Sequence, residues 1–533
     1  IRHLHRRWIR SSWIVTPCSK SKYQLNMSLF MFVDSSVCSN DEMLVYKRPI
    51  RKGKESTRYK RLAEDEGEKI AIPRHLGLAG CIWYIIGQVI GTGIFISPAG
   101  VLRGTGGSVG WALILWILCA IIQFCGALVY AELSLIMRKS GGDFTFLLQA
   151  WGSMMGFSRL WVTTFVNPCS IAIQSLVIAK YLLTPFFQCT EEPLLAVRFI
   201  SICCILFIVF INCVSIKFSA RLTGFLTFTK MFGLIAIFVS GIYNLKQGHT
   251  KYLESAFSSG HLDVSLLPVG FFSGLYALSG WEIITTITEE IDHPVRNIPL
   301  SLFISMATIT AVYLMANVAY FTLLSPAQML ASGAVAADYS VLALGNWSWL
   351  IWVFVAMSAL GSANASVIAR SRTVFVAARE GLFPEIMSMI SIKHHTPLPS
   401  IVILLVALVY VIEDDVIVLI EYTMFVDLLF ILLTCCILPY YRWKYPDIHR
   451  PFKIPLFVAG IYISSVIFLL GIAFYSDPIG KSIGLALALT GLPVYFAFLH
   501  PKYKLKCTAA ISGKLTRCLQ RVFFCVRQEK ETF

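Results

Sequence analysis

The sequence predicts an all-α, polytopic membrane protein of twelve transmembrane helices, with two sets of five related as an inverted repeat. Three observations carry that reading. Hydrophobic residues fill 56% of the 533 positions and charged ones only 14%, with mean hydropathy +0.70, which is not the make-up of an ordinary soluble domain. Apolar segments of about 20 residues, the length that crosses roughly 30 Å of hydrocarbon, recur around 77–101, 109–136, 157–184, 195–216, 221–245, 265–288, 298–324, 347–370, 398–412, 416–441, 454–475 and 481–500. The first and the sixth of these are interrupted by glycines at mid-span. Breaks in corresponding positions of two halves point to an inverted repeat with its binding site at the midplane.

On this reading residues 77–245 form the first repeat, 265–441 the second, and 454–500 the eleventh and twelfth helices. Residues 1–76 and 501–533 are tails. The stretch 1–42 lacks periodicity and is a candidate for upstream, non-native coding sequence, with Met27 or Met43 as the start. Lysine and arginine crowd the segment before the first span (Lys47, Arg48, Arg51, Lys52, Lys54) and the connections after even-numbered spans (Arg138, Lys139, Lys217, Arg221, Arg442, Lys444). The opposite connections hold Glu191, Glu192, Asp338 and Glu413. The positive-inside rule then places both termini in the cytoplasm. Most of the +15 net charge is this bias, so a nucleic-acid partner is not implied.

The first span carries the run IIGQVIGTGIFISP, residues 85–98. Glycine costs roughly 1 kcal/mol against alanine inside a helix, and irregular backbone at membrane depth is tolerated where it lines a cavity or lies inside protein. Gly87 and Gly91 also have the spacing of a helix-packing motif, and on this stretch alone packing and binding stay level. The second span holds Glu132 near its inner end, and Phe144–Trp151 beyond it is too short to cross. In the third span Asn167-Pro168 marks a kink, and Gln174 faces either a cavity or a neighbouring helix. Lys230 lies deep in the fifth span, where an ammonium costs several kcal/mol unless paired; its natural partners are carbonyls freed by broken helices, or a carboxylate. The sixth span repeats the anomaly with Tyr276, Leu278, Ser279, Gly280, Trp281 and Glu282. The eighth has a small polar face (Ser358, Gly361, Ser362, Asn364, Ser366), and the tenth holds Glu421 and Asp427. Asn346-Trp347-Ser348 is a glycosylation sequon close to the membrane. Cys189 is the one cysteine in an external loop, which leaves an intermolecular disulfide and a free thiol both open.

Amide donors at Ile90, Gly91, Thr92 and Gly93 suit a carboxylate, and carbonyls near Leu278 and Ser279 suit an ammonium. The α-amino acids carry both charges on adjacent atoms. No GxxxxGK[ST] loop, metal-ligand cluster or catalytic constellation stands out, so neither ATP-driven transport nor an enzyme is implied, and no cofactor or metal.

Five stretches make the reading specific: IGTGIFISPAGVL (90–102), GALVYAELSLIMRKSGGDFTFL (126–147), TEEIDHPVRNIPLS (288–301), AREGLFPEIMSMISIKHHTPLPS (378–400) and RWKYPDIHRPFKIPL (442–456). With them the chain resembles, over roughly 69–500, the light subunits of the heteromeric amino-acid transporters in the amino acid–polyamine–organocation superfamily. Its local wording, notably around His394–Pro399, is nearest the cystine/glutamate exchanger, with the L-type neutral exchangers close behind. The resemblance implies the leucine-transporter-type fold, sodium-independent exchange at the plasma membrane, and a single-span heavy-chain glycoprotein bonded through Cys189. It implies that Lys230 stands where sodium sits in coupled relatives and that Tyr276 gates the substrate. In the cystine/glutamate exchanger, arginines of the third and tenth spans recognise the anionic side chain; here Asn167 and Asp427 take those positions. With Glu282 added, neutral and then cationic substrates are expected over glutamate. Cystine/glutamate exchange and an amino-acid sensor without net transport are the alternatives.

Overall fold

The computed structural model describes residues 14–15, 23–24, 45–46, 76–137, 141–187, 193–257, 263–413, 415–499 and 516–528. The chain divides into two compact units, 1–51 with 526–533, and 52–525. In the first, the described residues are short strand pairs: 14–15 antiparallel to 23–24, and Val45 and Tyr46 parallel to Arg527 and Gln528.

The second unit is helical. Among the described residues, ten helices are long and apolar enough to cross a membrane, and the bent pair Leu78–Val89 and Gly93–Gly104 makes an eleventh span. The ninth expected span is the short apolar helix Leu398–Tyr410. The third is split at the Asn167-Pro168 kink into Ser153–Phe165 and Cys169–Leu183. The helix Gly142–Trp151 fills the connection before it. Many large apolar side chains face outward, as Phe199, Phe207 and Phe210 do on the fourth span, Leu194–Val214. Such a surface is stable only against lipid or a partner.

The first span bends by 55° at its break. Ile90 is extended there (φ −70°, ψ 94°) and Thr92 has already returned to helical angles. The sixth span runs as a helix over Leu267–Ala277, breaks at 278–280, and continues as the tight turn Trp281–Glu290. Gly280 has φ 109°, in the left-handed region that favours glycine. The two broken spans pack antiparallel along small residues: Gly93 meets Ala277, Gly100 meets Ser273 and Gly104 meets Gly270. A Cβ on Gly93 would stand 2.5 Å from the Ala277 Cα, so this approach requires glycine.

Buried polar groups tie the other spans together. Glu132 accepts from Arg442 at 2.6 Å and from the Ile454 amide at 2.8 Å, and Glu421 accepts from Lys481 at 2.7 Å. The expected intramembrane acids are thus paired, as their desolvation cost demands. Asn364 of the eighth span accepts from Asn212 at 2.7 Å and donates to the Thr223 hydroxyl at 2.8 Å. Near the C-terminal end Cys525 packs with Ile386 and Met389, and burial pushes its thiol up to about 12, while Cys518 is exposed.

Candidate substrate site between the broken spans

A helix break frees amides on one side and carbonyls on the other, and both kinds occur here. Among the described residues the N–H groups of Thr92 and Gly93 have no backbone acceptor, the Gly91 N–H is directed at the Tyr313 hydroxyl, and no backbone amide outside the helices donates to the carbonyls of Leu278 and Ser279. Other freed groups are satisfied from a distance. Lys230 of the fifth span (Ile216–Lys246) is 1% exposed. It donates from Nζ to the Gly87 carbonyl at 2.7 Å and to the Ile90 carbonyl at 2.5 Å. Such charge-assisted bonds are short and roughly twice as strong as neutral ones. The Tyr313 hydroxyl, from the seventh span, lies 2.9 Å from the Val89 carbonyl and 3.1 Å from the Ala277 carbonyl, one from each break.

Between the breaks lies a cavity of about 240 Å³. Gly91, Thr92, Gly93, Asn167, Tyr276, Ser279, Gly280, Glu282 and Asp427 all line it. Ile90 and Leu278 do not; both side chains are buried, and only their backbone serves the site. Lys230 sits behind the wall. Cys189 lies outside the described residues.

The cavity's charges are bound in a pattern that side-chain types alone did not reveal. Arg159 donates to Asp143 at 2.9 Å and to Asp427 at 2.7 Å, and Asn167 donates to the same Asp427 oxygen at 3.1 Å. Asp427 is therefore not a free anion, and Asn167 is its partner. Glu282 accepts from the Gly280 amide at 2.9 Å, across its own turn. Arg370, on the eighth span Trp349–Arg379, donates from Nη2 to the Ser170 hydroxyl at 2.8 Å. Three carboxylates thus face two guanidiniums. Five buried polar atoms on the cavity wall have no partner: Asp143 Oδ1, Asn167 Oδ1, Gln174 Oε1, Ser362 Oγ and Arg370 Nε. Buried polar atoms are almost always bonded, so this concentration marks a place for a polar ligand.

The sequence reading missed Asp143, Arg159, Tyr313 and Arg370. Arg159 lies at the start of the expected third span, where an arginine commonly reaches the membrane interface, so its signal was weaker than that of Lys230. Tyr313 carried none, because a tyrosine in an apolar helix is ordinary until its hydroxyl is placed.

A helical membrane protein with a small polar cavity between two broken spans is a permease by architecture. Residues 76–498 match the amino acid permease family. The chain is 40% identical over 464 residues to the human cystine/glutamate transporter (Homo sapiens), covering 87% of this chain and 92% of the relative. It is 37% identical over 470 residues to the human large neutral amino acids transporter small subunit 2, covering 87% and 88%. It is 36% identical over 469 residues to the mouse (Mus musculus) Asc-type amino acid transporter 1, covering 86% and 87%. The chain belongs to the amino acid permease family, in the light-subunit branch of the heteromeric amino-acid transporters that its motifs resemble. It is a multi-pass membrane transporter of amino acids, not an enzyme.

Proposed function

We propose that the protein is a sodium-independent antiporter that exchanges L-amino acids across the plasma membrane by alternating access, with both termini cytoplasmic. One observation carries this reading: amides at Thr92 and Gly93 and carbonyls at Leu278 and Ser279, none of them with a backbone partner, belong to the two breaks that bound one cavity. The α-carboxylate takes the amides, the α-ammonium takes the carbonyls, and Tyr276 stands beside them. Exchange without sodium is supported by Lys230, whose ammonium supplies, at the Gly87 and Ile90 carbonyls, the positive charge that a coupled ion would bring.

Side-chain preference follows from the charge pattern. Asp427 is already held by Arg159 and Asn167, which removes the main support for cationic substrates and leaves neutral ones first. Exchange of cystine for glutamate is the second reading, favoured by the Arg370 guanidinium on the cavity wall. A disulfide from Cys189 to a single-span heavy chain completes the proposal; loss of a high-mass, reducible band in Cys189→Ser is its expected sign.

The test is counterflow in proteoliposomes. Labelled leucine should enter vesicles preloaded with leucine equally with and without sodium, and hardly at all without preload. Strict sodium dependence would overturn the role of Lys230, and binding without counterflow would favour a sensor. Glutamate and cystine as the only exchanged pair would establish the second reading.

A further inference from the structure

We infer that Arg370 is a specificity-determining residue, which selects amino acids whose side chain ends in a carbonyl or carboxylate oxygen. The inference rests on the proposed amino-acid site and names the substrate class within it. Of the two guanidiniums on the cavity wall, Arg159 is committed to two carboxylates. Arg370 has no carboxylate at ion-pair distance among the described residues. It donates to the Ser170 hydroxyl, and its buried Nε is unpartnered. A guanidinium offers five N–H donors in a planar fork matched to a pair of oxygens. Leaving most of that fork unused inside the protein is costly unless a ligand uses it.

Its placement fits a side-chain contact. Ser362, Ser366, Ala369, Arg370 and Thr373 line the cavity from one helix. The spacing of 362, 366 and 370 puts those three on one face. Ser362 is the residue against Gly91: a Cβ there would stand 2.8 Å from the Ser362 Oγ. Arg370 lies eight residues further, about 12 Å along the axis. Helical side chains lean toward the N-terminus, which turns Arg370 toward Ser362 and the first break. A substrate anchored by its α-carboxylate at Gly91–Gly93 and extending toward Arg370 reaches the fork with its far end. A carboxamide and a carboxylate share the oxygen that the fork needs; leucine has the length without the oxygen.

The test is ligand-induced thermal stabilisation of the purified full-length protein, titrated with leucine, glutamine and glutamate. The variants are Arg370→Met, which removes the fork, and Arg370→Lys, which keeps the charge without its planarity. The affinity ratio of glutamine or glutamate to leucine is expected to fall at least tenfold in Arg370→Met and by less in Arg370→Lys. Whichever of the two ligands loses affinity identifies the carboxamide or the carboxylate as the natural group. Equal weakening of all three ligands, or an unchanged ratio, would overturn the inference. Should Arg370→Met fail to fold, an unchanged ratio in Arg370→Lys overturns it as well. The readout is binding, so a wild-type protein that binds but shows no counterflow sinks the exchange reading and leaves this one standing on its ratio.

Discussion

The two breaks solve one problem by different means. The first span leaves carbonyls at Gly87, Val89 and Ile90 that are satisfied from other helices, by the Lys230 ammonium and the Tyr313 hydroxyl. The sixth combines bonds within its own turn with bonds from outside: Gln123 of the second span donates to the Leu275 carbonyl at 2.9 Å and accepts from the Trp281 indole at 3.3 Å. Gly280 turns the chain with φ 109°, Glu282 accepts from the Gly280 amide, and the Ser279 hydroxyl donates to the Tyr276 carbonyl at 2.8 Å. A break held from outside answers to movements of its neighbours. The fifth span thus acts on the first break through Lys230, the second on the sixth through Gln123, and the seventh on both through Tyr313.

The sharpest way to break this contrast is Lys230→Met. It removes two charge-assisted bonds and leaves two buried carbonyls unpaired, at about 1–3 kcal/mol each. Counterflow is expected to fall at least a hundredfold, and sodium should not restore it; near-normal exchange would mean that the first break holds itself. Next comes Gly280→Ala, which forces a Cβ into the left-handed region at about 1–3 kcal/mol and brings it 3.2 Å from the Gln88 Cγ. About a tenfold loss of maximal rate, with a lowered Tm, is the expected result. The smallest effect belongs to Glu282→Gln, whose amide oxygen can still accept from the Gly280 N–H. A change in leucine affinity below about threefold fits a local cap worth about 1 kcal/mol. A much larger change would move Glu282 from the turn to the substrate.

The helical, polytopic fold was legible because lipid imposes length and hydropathy on each span, and the breaks were legible because Gly91, Gly93 and Gly280 are poor choices for a helix interior. Lys230 was legible for the same reason, as a charge too costly to leave alone. What remained hidden was pairing. Asp427 and Glu282 looked alike in the sequence, as intramembrane acids, yet one is held by a distant arginine and the other by its own turn. Which charge meets which depends on how the third, eighth and tenth spans face one another, and hydropathy does not encode that. Arg370 went unremarked because it lies near the end of its span, where an arginine commonly reaches the membrane interface; its direction along the helix is what places it on the cavity.

The Tyr313 hydroxyl carries a single proton and has two carbonyls within reach, Val89 at 2.9 Å and Ala277 at 3.1 Å. It can give that proton to one or share it between the two. When one broken span shifts a few tenths of an ångström against the other, the proton can be handed across without any net bond being lost. Tyr313 thereby couples the two breaks, and on the proposed exchange reading a displacement of either broken span is felt directly by the other.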